Sequence, residues 1–452
     1  MTRLFGTDGV RGVANTELTP ELAFSLGCGL ARCISQGQKR VGILIGMDTR
    51  RSGHMLEAAL TAGILSAGGD VYAAGVVPTP AVAYLTKKYG LGAGVVISAS
   101  HNPFLDNGIK IFDSNGYKMS DEAERDIEDA ANEVRNGKGM SGRPVGGGIG
   151  IRHDAGYALR DYIVHMKSVV GELDFGGVKV ALDCANGSMY QAAPALFTEL
   201  GAEAFVMADK PSGENINLRC GSTHIEVLAK RTLESGSGAG FAFDGDGDRC
   251  LAVDENGKVV DGDQILSVLA LFYKNKGVLK KNTVVSTVMS NIGFEVMCGE
   301  NGLNIEKTAV GDKHVFKCML ENGYMLGGEQ SGHVINLNYS TTGDGLCTAL
   351  QLVVVMKETG KKLSELASAM ERYPQVLRNV RVSNERKSGY LTSSEIMDAI
   401  GALEKRLEGR GRVLVRPSGT EPLIRVMLEG RDMPEITREA EALAALIEDV
   451  LS

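Results

Sequence analysis

One stretch constrains the fold of this chain more than any other: Gly240-Phe241-Ala242-Phe243-Asp244-Gly245-Asp246-Gly247-Asp248-Arg249. Its apolar start reads as a buried strand. The strand empties directly into three carboxylates that alternate with glycine. The glycines let the backbone fold tightly, so Asp244, Asp246 and Asp248 can converge on one hard cation. Left alone they would repel one another, and a bound Mg2+ is the economical explanation. A strand that delivers such a loop fits an open α/β sheet, where ligand crevices lie beyond the carboxyl ends of the strands. The same letters allow other readings. The plain one is a solvated acidic turn. An EF-hand loop also begins Asp-x-Asp-x-Asp, with Glu255 at its twelfth position. Arg249, however, stands where that loop needs glycine, and a strand rather than a helix precedes it. An aspartyl-phosphate enzyme carries its nucleophile in an Asp-x-Asp-Gly turn, but that reading leaves a second motif without a role.

The second motif is Gly94-Val95-Val96-Ile97 running into Ser98-Ala99-Ser100-His101-Asn102-Pro103. Pro103 stops the run, so a hydroxyl is carried at a strand end. Read alone, this is equally a strand followed by a Ser/Asn/Pro turn. His101 follows Ser100 directly, and in an extended chain their side chains point apart. A Ser–His hydrolase pair is therefore not expected, although a positioning role for His101 stays open. A third motif, Arg416-Pro417-Ser418-Gly419-Thr420-Glu421-Pro422 with Arg425 beyond, offers hydroxyls and backbone N–H groups between two arginines. That composition suits a phosphate dianion, or a simple Pro-Ser-Gly turn. Gly327-Gly328-Glu329-Gln330-Ser331-Gly332-His333 carries hydrogen-bonding side chains suited to a polyhydroxylated ligand. Phe5-Gly6-Thr7-Asp8-Gly9-Val10-Arg11-Gly12 holds Arg11 between glycines. No G-x-S-x-G elbow, Walker A loop or G-x-G-x-x-G fingerprint after a strand is present.

At 452 residues the chain is too long for one core. Strand-like and helix-like segments alternate, then the pattern restarts twice, which predicts parallel or mixed sheets covered by helices. The expected fold is α/β: three similar α/β domains with mixed sheets (1–153, 154–255 and 256–371) plus a smaller C-terminal α+β domain (372–452). With 43% hydrophobic and 23% charged residues the chain is globular rather than disordered. Its net charge of -8 and lack of a long basic run argue against nucleic acid or an anionic membrane as main partner. No apolar signal region or bilayer-length run is evident. The eight cysteines are scattered without a C-x-x-C pair and read as reduced core thiols of a cytoplasmic protein, with no zinc site expected.

Taken together and in order, these motifs resemble the α-D-phosphohexomutase superfamily along the whole chain. The likeness is greatest to its amino-sugar branch, through Asn102-Pro-Phe-Leu-Asp-Asn-Gly-Ile-Lys110, Asp183-Cys-Ala-Asn-Gly187, Asn215-Ile-Asn217 and Cys220-Gly-Ser222. The resemblance implies an enzyme that interconverts glucosamine 6-phosphate and glucosamine 1-phosphate, a precursor step for UDP-N-acetylglucosamine, through a glucosamine 1,6-bisphosphate intermediate. The branches acting on mannose and glucose phosphates are the alternative. It implies a phosphoserine at Ser100 and one Mg2+ held by Asp244, Asp246, Asp248 and the Ser100 phosphate. Arg11, His101, Lys110 and Arg249 would lie near the reacting phosphate, with Lys110 and His101 as candidate bases. Glu329 and Ser331 would contact the sugar, and Arg416, Ser418, Gly419, Thr420 and Arg425 would hold the other phosphate. A homodimer stays open as the assembly, and the partner is a small phosphosugar. Two departures stand out. Met47 replaces the basic residue usual in Gly-(Arg/Lys)-Asp-Thr-Arg, and Val310-Gly-Asp-Lys-His-Val315 replaces Val-Gly-Asp-Arg-Tyr-Val, leaving the preferred sugar less defined than the reaction.

Overall fold

Apolar runs without polar alternation form the centres of the sheets, because helices cover both faces. Val95, Val96 and Ile97 are wholly buried, as is every residue of Ala239–Phe243. The computed structural model describes residues 3–6, 8–35, 40–138, 142–383, 385–418 and 422–451. Two compact units form: residues 1–289 with 303–369, and residues 290–302 with 370–452.

The first unit contains three mixed sheets. The first has the order Val10–Val13, Asp106–Asp113, Ala93–Ile97, Gly42–Met47, Asp70–Val76 and Arg152–Asp154. Its last four strands run parallel and the first two are antiparallel additions. The second has the order Val259–Val260, Cys250–Asp254, Ala239–Phe243, Lys179–Asp183 and Glu203–Met207, with the last three parallel. The third runs Asn304–Thr308, Thr283–Thr287, Leu326–Gly328 and Val334–Asn336, with only the last strand antiparallel. In the first sheet's helical layer, Pro20–Ser35 lies against Gly53–Ser66 at glycines. A Cβ on Gly27 would meet Leu60 O at 2.4 Å, and one on Gly63 would meet Phe24 O at 2.1 Å. Only glycine permits that approach.

The three sheets share a device that sequence similarity does not reveal. In each, a strand of the parallel set turns back through a hairpin into an antiparallel neighbour. The three hairpin loops are residues 98–105, 244–249 and 329–333. These are the serine, acidic and Glu-Gln-Ser motifs. Each therefore sits at the carboxyl end of a parallel strand, where ligand crevices form.

The second unit has an antiparallel sheet, Gln375–Arg381, Leu423–Gly430 and Gly411–Pro417. Helices Ser394–Leu407 and Met433–Leu451 bury Ile396, Leu403, Ile436 and Leu443 with Val376 and Ile424 in one core. Helix Ile292–Glu300 belongs to this unit. Glu429 accepts from Ile292 N at 3.0 Å and from Arg412 Nε at 2.6 Å. The architecture is thus three mixed α/β sheets and a smaller α+β unit, as the alternation of segments predicts. Among the described residues, no helix is long and apolar enough to cross a membrane.

Candidate active site

The strand Ala93–Ile97 delivers Ser98 and Ser100 in different ways. Ser98 is fully buried; its hydroxyl donates to Asp48 Oδ2 at 2.5 Å and accepts from Ser100 N at 2.9 Å. Ser100 instead turns its hydroxyl to Asp244 Oδ2, 2.5 Å away. The hydroxyl also lies 3.3 Å from His101 Nδ1. The sequence predicts that these neighbours point apart, and the structure corrects this. Ser100 has φ of 51°, in the left-handed region, which breaks the extended alternation. Burial, followed by the Arg249 and Arg11 cations, pushes the His101 imidazole down to about 4, so the ring is neutral at physiological pH.

One oxygen each of Asp244, Asp246 and Asp248 lies within 4.8 Å of the others, and all three residues are buried. Burial, then Asp248 and Asp246, push the Asp244 carboxyl well above the usual carboxylate range. Lys110, on strand Asp106–Asp113, is buried at 2.9 Å from Asp246, 3.3 Å from Asp8 and 3.5 Å from Asp248. Burial alone would lower its pKa, but Asp246, Asp8 and Asp248 more than offset this and raise it. These carboxylates favour the charged form of Lys110. Asp248 goes the other way from Asp244: Lys110 and His333 outweigh burial and hold it well below its ordinary value. Even so, Oδ1 of Asp246 and Oδ1 of Asp248 are buried and accept no hydrogen bond. Hard oxygen donors with spare lone pairs beside the Ser100 hydroxyl fit a divalent cation such as Mg2+.

Cations frame this cluster. Arg249 donates its backbone N–H to Asp244 Oδ1 at 3.2 Å and places Nε 4.0 Å from Asp248 Oδ1. Arg11 pairs with Asp8, and its Nε is buried without a partner. In the third hairpin, Glu329 accepts from Gly311 N at 3.0 Å, while Ser331 is exposed. His333 Nε2 accepts from Gly343 N at 3.1 Å, leaving Nδ1 3.7 Å from Asp248 Oδ1.

Within the second unit, Arg416 and Arg425 are direct partners on adjacent antiparallel strands. Like charges in that position are unfavourable unless an anion joins them. Burial and the Arg425 cation press the Arg416 guanidinium below its ordinary value. Ser418 is buried, and its carbonyl accepts from buried Lys387 Nζ at 2.8 Å. Gly419 and Thr420 lie outside the described residues.

Comparison with known proteins bears on this arrangement. Models of the phosphoglucomutase/phosphomannomutase family match in four segments: α/β/α domain I at residues 2–138, domain II at 160–257, domain III at 261–373, and the C-terminal domain at 377–446. A phosphoglucosamine mutase of Ruminiclostridium cellulolyticum is 55% identical over 453 residues, covering 100% of both chains. The chain belongs to the phosphoglucosamine mutase family. Solved structures at lower identity share the fold of this family. One is a phosphoglucomutase/phosphomannomutase family protein of Burkholderia thailandensis, with TM-score 0.81 and 22% identity over 99% of this chain and 98% of that one. Another is Aspergillus fumigatus N-acetylphosphoglucosamine mutase in complex with GlcNAc-6P and magnesium, with TM-score 0.70 and 18% identity over 99% and 96% of the two chains.

Met47 and Lys313, which depart from the family pattern, have structural roles. Met47 is 4% exposed in the core under the first sheet, so the side chain at this position packs rather than reaching the site. Lys313 pairs with Asp121 at 2.7 Å and Glu124 at 3.3 Å. Its charge ties helix Asp312–Asn322 to helix Asp121–Arg135. Two residues outside the motifs also join this arrangement. Thr79 binds Asp246 Oδ2 through Oγ1 at 2.6 Å. Lys118 pairs with Asp8 at 2.7 Å and also with Asp312. Neither has a local signature, since Thr79 and Asp246, and Lys118 and Asp8, lie far apart in sequence.

Proposed function

We propose that the chain interconverts glucosamine 6-phosphate and glucosamine 1-phosphate through a phosphoserine at Ser100. One observation carries the reading: the Ser100 hydroxyl lies 2.5 Å from a buried three-carboxylate cluster in which Oδ1 of Asp246 and of Asp248 accepts no hydrogen bond. Asp244, Asp246, Asp248 and the Ser100 phosphate would hold Mg2+. When bound, the ion would neutralise charge on the transferred group. Family membership supports this assignment, as does the magnesium in the Aspergillus relative.

The chain's own residues would act in sequence. A free sugar hydroxyl attacks the Ser100 phosphate; its O–P bond forms as the serine O–P bond breaks, and the proton lost by the sugar hydroxyl is balanced by the one the departing Ser100 oxygen takes up. Arg11, Lys110 and Arg249 offset the charge that develops on the equatorial oxygens. Glu329 and Ser331 hydrogen-bond the sugar, and Arg416, Ser418, Gly419, Thr420 and Arg425 hold the phosphate that does not react. Glucosamine 1,6-bisphosphate then turns over and returns its other phosphate to Ser100. The cytoplasm is the compartment assigned, supported by eight free cysteines. The test is turnover of glucosamine, glucose and mannose 6-phosphates side by side, with Mg2+ and a bisphosphate primer. Glucosamine 6-phosphate should be preferred, intact mass should show one phosphate, and Ser100→Ala should lose both. Full activity in Ser100→Ala would refute the phosphoserine route. Preference for mannose or glucose 6-phosphate would assign the chain to the alternative substrates.

A further inference from the structure

Ser100 holds a left-handed backbone, φ 51°, in a residue that bears a side chain. Such a conformation persists only where the surroundings over-determine it. Here both backbone polar groups of Ser100 are held by side chains. Its N–H donates to Ser98 Oγ at 2.9 Å. Its carbonyl accepts from Arg50 Nη2 and from Asn217 Nδ2, each at 2.9 Å. The same two donors reach Asn102 O at 2.8 and 3.2 Å. Arg50 Nη1 binds Asp106 O at 3.1 Å and also Pro103 O. Its Nε donates to Asp48 Oδ2 at 2.8 Å, the oxygen that also accepts from Ser98. All five guanidinium N–H groups are thereby used. The side chains of Arg50 and Asp48 are both 0% exposed.

We propose that Arg50 is a positioning residue for phosphoryl transfer: with Asn217, it clamps the carbonyls of residues 100–106 and aims the Ser100 hydroxyl at the acidic cluster. Arg50 binds the Ser100 carbonyl and not its hydroxyl, so it acts through the loop backbone. A lysine would keep the charge but not the planar fork that spans four carbonyls. Asn217 makes the same clamp from the unit's second sheet region, which gives the Asn215-Ile-Asn217 motif a purpose. Asp48 orients the guanidinium and, through Ser98, the Ser100 amide. This inference rests on the phosphoserine reading above.

The test compares Arg50→Lys, Asn217→Ala and wild type for kcat, KM, thermal stability and amide hydrogen exchange of peptides covering 98–106. Displacing a reacting group by about 1 Å costs about 100-fold in rate. Arg50→Lys should therefore lower kcat about 100-fold with KM nearly unchanged, and speed exchange in 98–106 but not in Ala93–Ile97. Asn217→Ala, which removes a neutral donor, should lower kcat about 10-fold with the same local exchange. Full kcat in either folded variant overturns the proposal. So does a loss of kcat accompanied by exchange that rises uniformly along the chain, the signature of general destabilisation. If Arg50→Lys does not fold, Asn217→Ala and Ser98→Ala decide by the same readouts. Should wild type turn over no phosphosugar, the functional reading fails, while the exchange measurement still tests the clamp.

Discussion

Replacing Asp244 by asparagine should make the metal-free protein more stable while destroying its activity. The carboxylate oxygens of Asp244, Asp246 and Asp248 lie within 4.8 Å of one another in a buried site. At that distance, with an effective dielectric constant near 20, each like-charge pair costs about 3.5 kcal/mol. Without a cation, Asp244 escapes this repulsion only by holding a proton, which its raised pKa shows and which itself costs stability at neutral pH; asparagine removes that cost and preserves the shape. Its amide oxygen can still accept from Arg249 N, and its NH2 can donate to the Ser100 hydroxyl. Against the relief stands the lost attraction to Arg249, which also acts on this carboxyl. A net gain of about 2 kcal/mol is consistent with substitutions that relieve strain at functional sites. In EDTA, Asp244→Asn should unfold about 2–4 °C above wild type. Adding Mg2+ should reverse the order, because ligand at 100 times its Kd stabilises wild type by about 2.7 kcal/mol and the variant far less. Differential scanning calorimetry with and without Mg2+, alongside mutase assays, measures both effects. A variant no more stable than wild type in EDTA would refute the view that the converging carboxylates are strained without a cation.

Gly245→Ala should cost activity more than stability. A Cβ there would lie 2.5 Å from Ser100 O and 2.8 Å from Ile216 Cδ1, so the serine loop must shift; kcat should fall about 100-fold while calorimetry shows a folded chain. Arg425→Ala should raise KM for the phosphosugar about 10- to 100-fold with a smaller change in kcat, as expected for a lost charged hydrogen-bond donor; steady-state kinetics decide this. His165 stacks on Tyr84 with ring centroids 3.7 Å apart and places Nε2 2.8 Å from Tyr339 O. Burial lowers its pKa from 6.5, so its contribution to stability is present above pH 6.5 and is lost as the unfolded ring protonates while the folded ring does not. Wild type should therefore lose thermal stability between pH 7.5 and 5.5 more steeply than His165→Phe. Parallel curves would contradict this.

The apolar runs Gly94–Ile97 and Gly240–Phe243 were legible as strands because burial on both faces leaves an uninterrupted hydrophobic signature. The motifs that follow them were legible because each is a short local stretch whose chemistry depends on neighbours in sequence. Strand Asp106–Asp113, which carries Lys110, has no strand signature in the sequence. It follows a proline turn and contains Asp, Asn, Gly and Lys, which strands disfavour, yet it pairs on both sides within the first sheet. Tertiary pairing overrode local preference there.

The order of the motifs and the residue types that can bind a cation or a phosphate are properties of the sequence alone. The sequence alone could not decide between Ser98 and Ser100. In the structure, Ser98 is bound to Asp48 and Ser100 faces Asp244. Nor could it bring His101 beside Ser100, place Lys110 among three carboxylates, or align Arg416 with Arg425. Each of these is a long-range pairing or a positive φ, fixed by how strands register and loops are clamped rather than by any local pattern. For the same reason, only the tertiary structure shows that the serine, acidic and Glu-Gln-Ser loops occupy one equivalent hairpin position in three sheets.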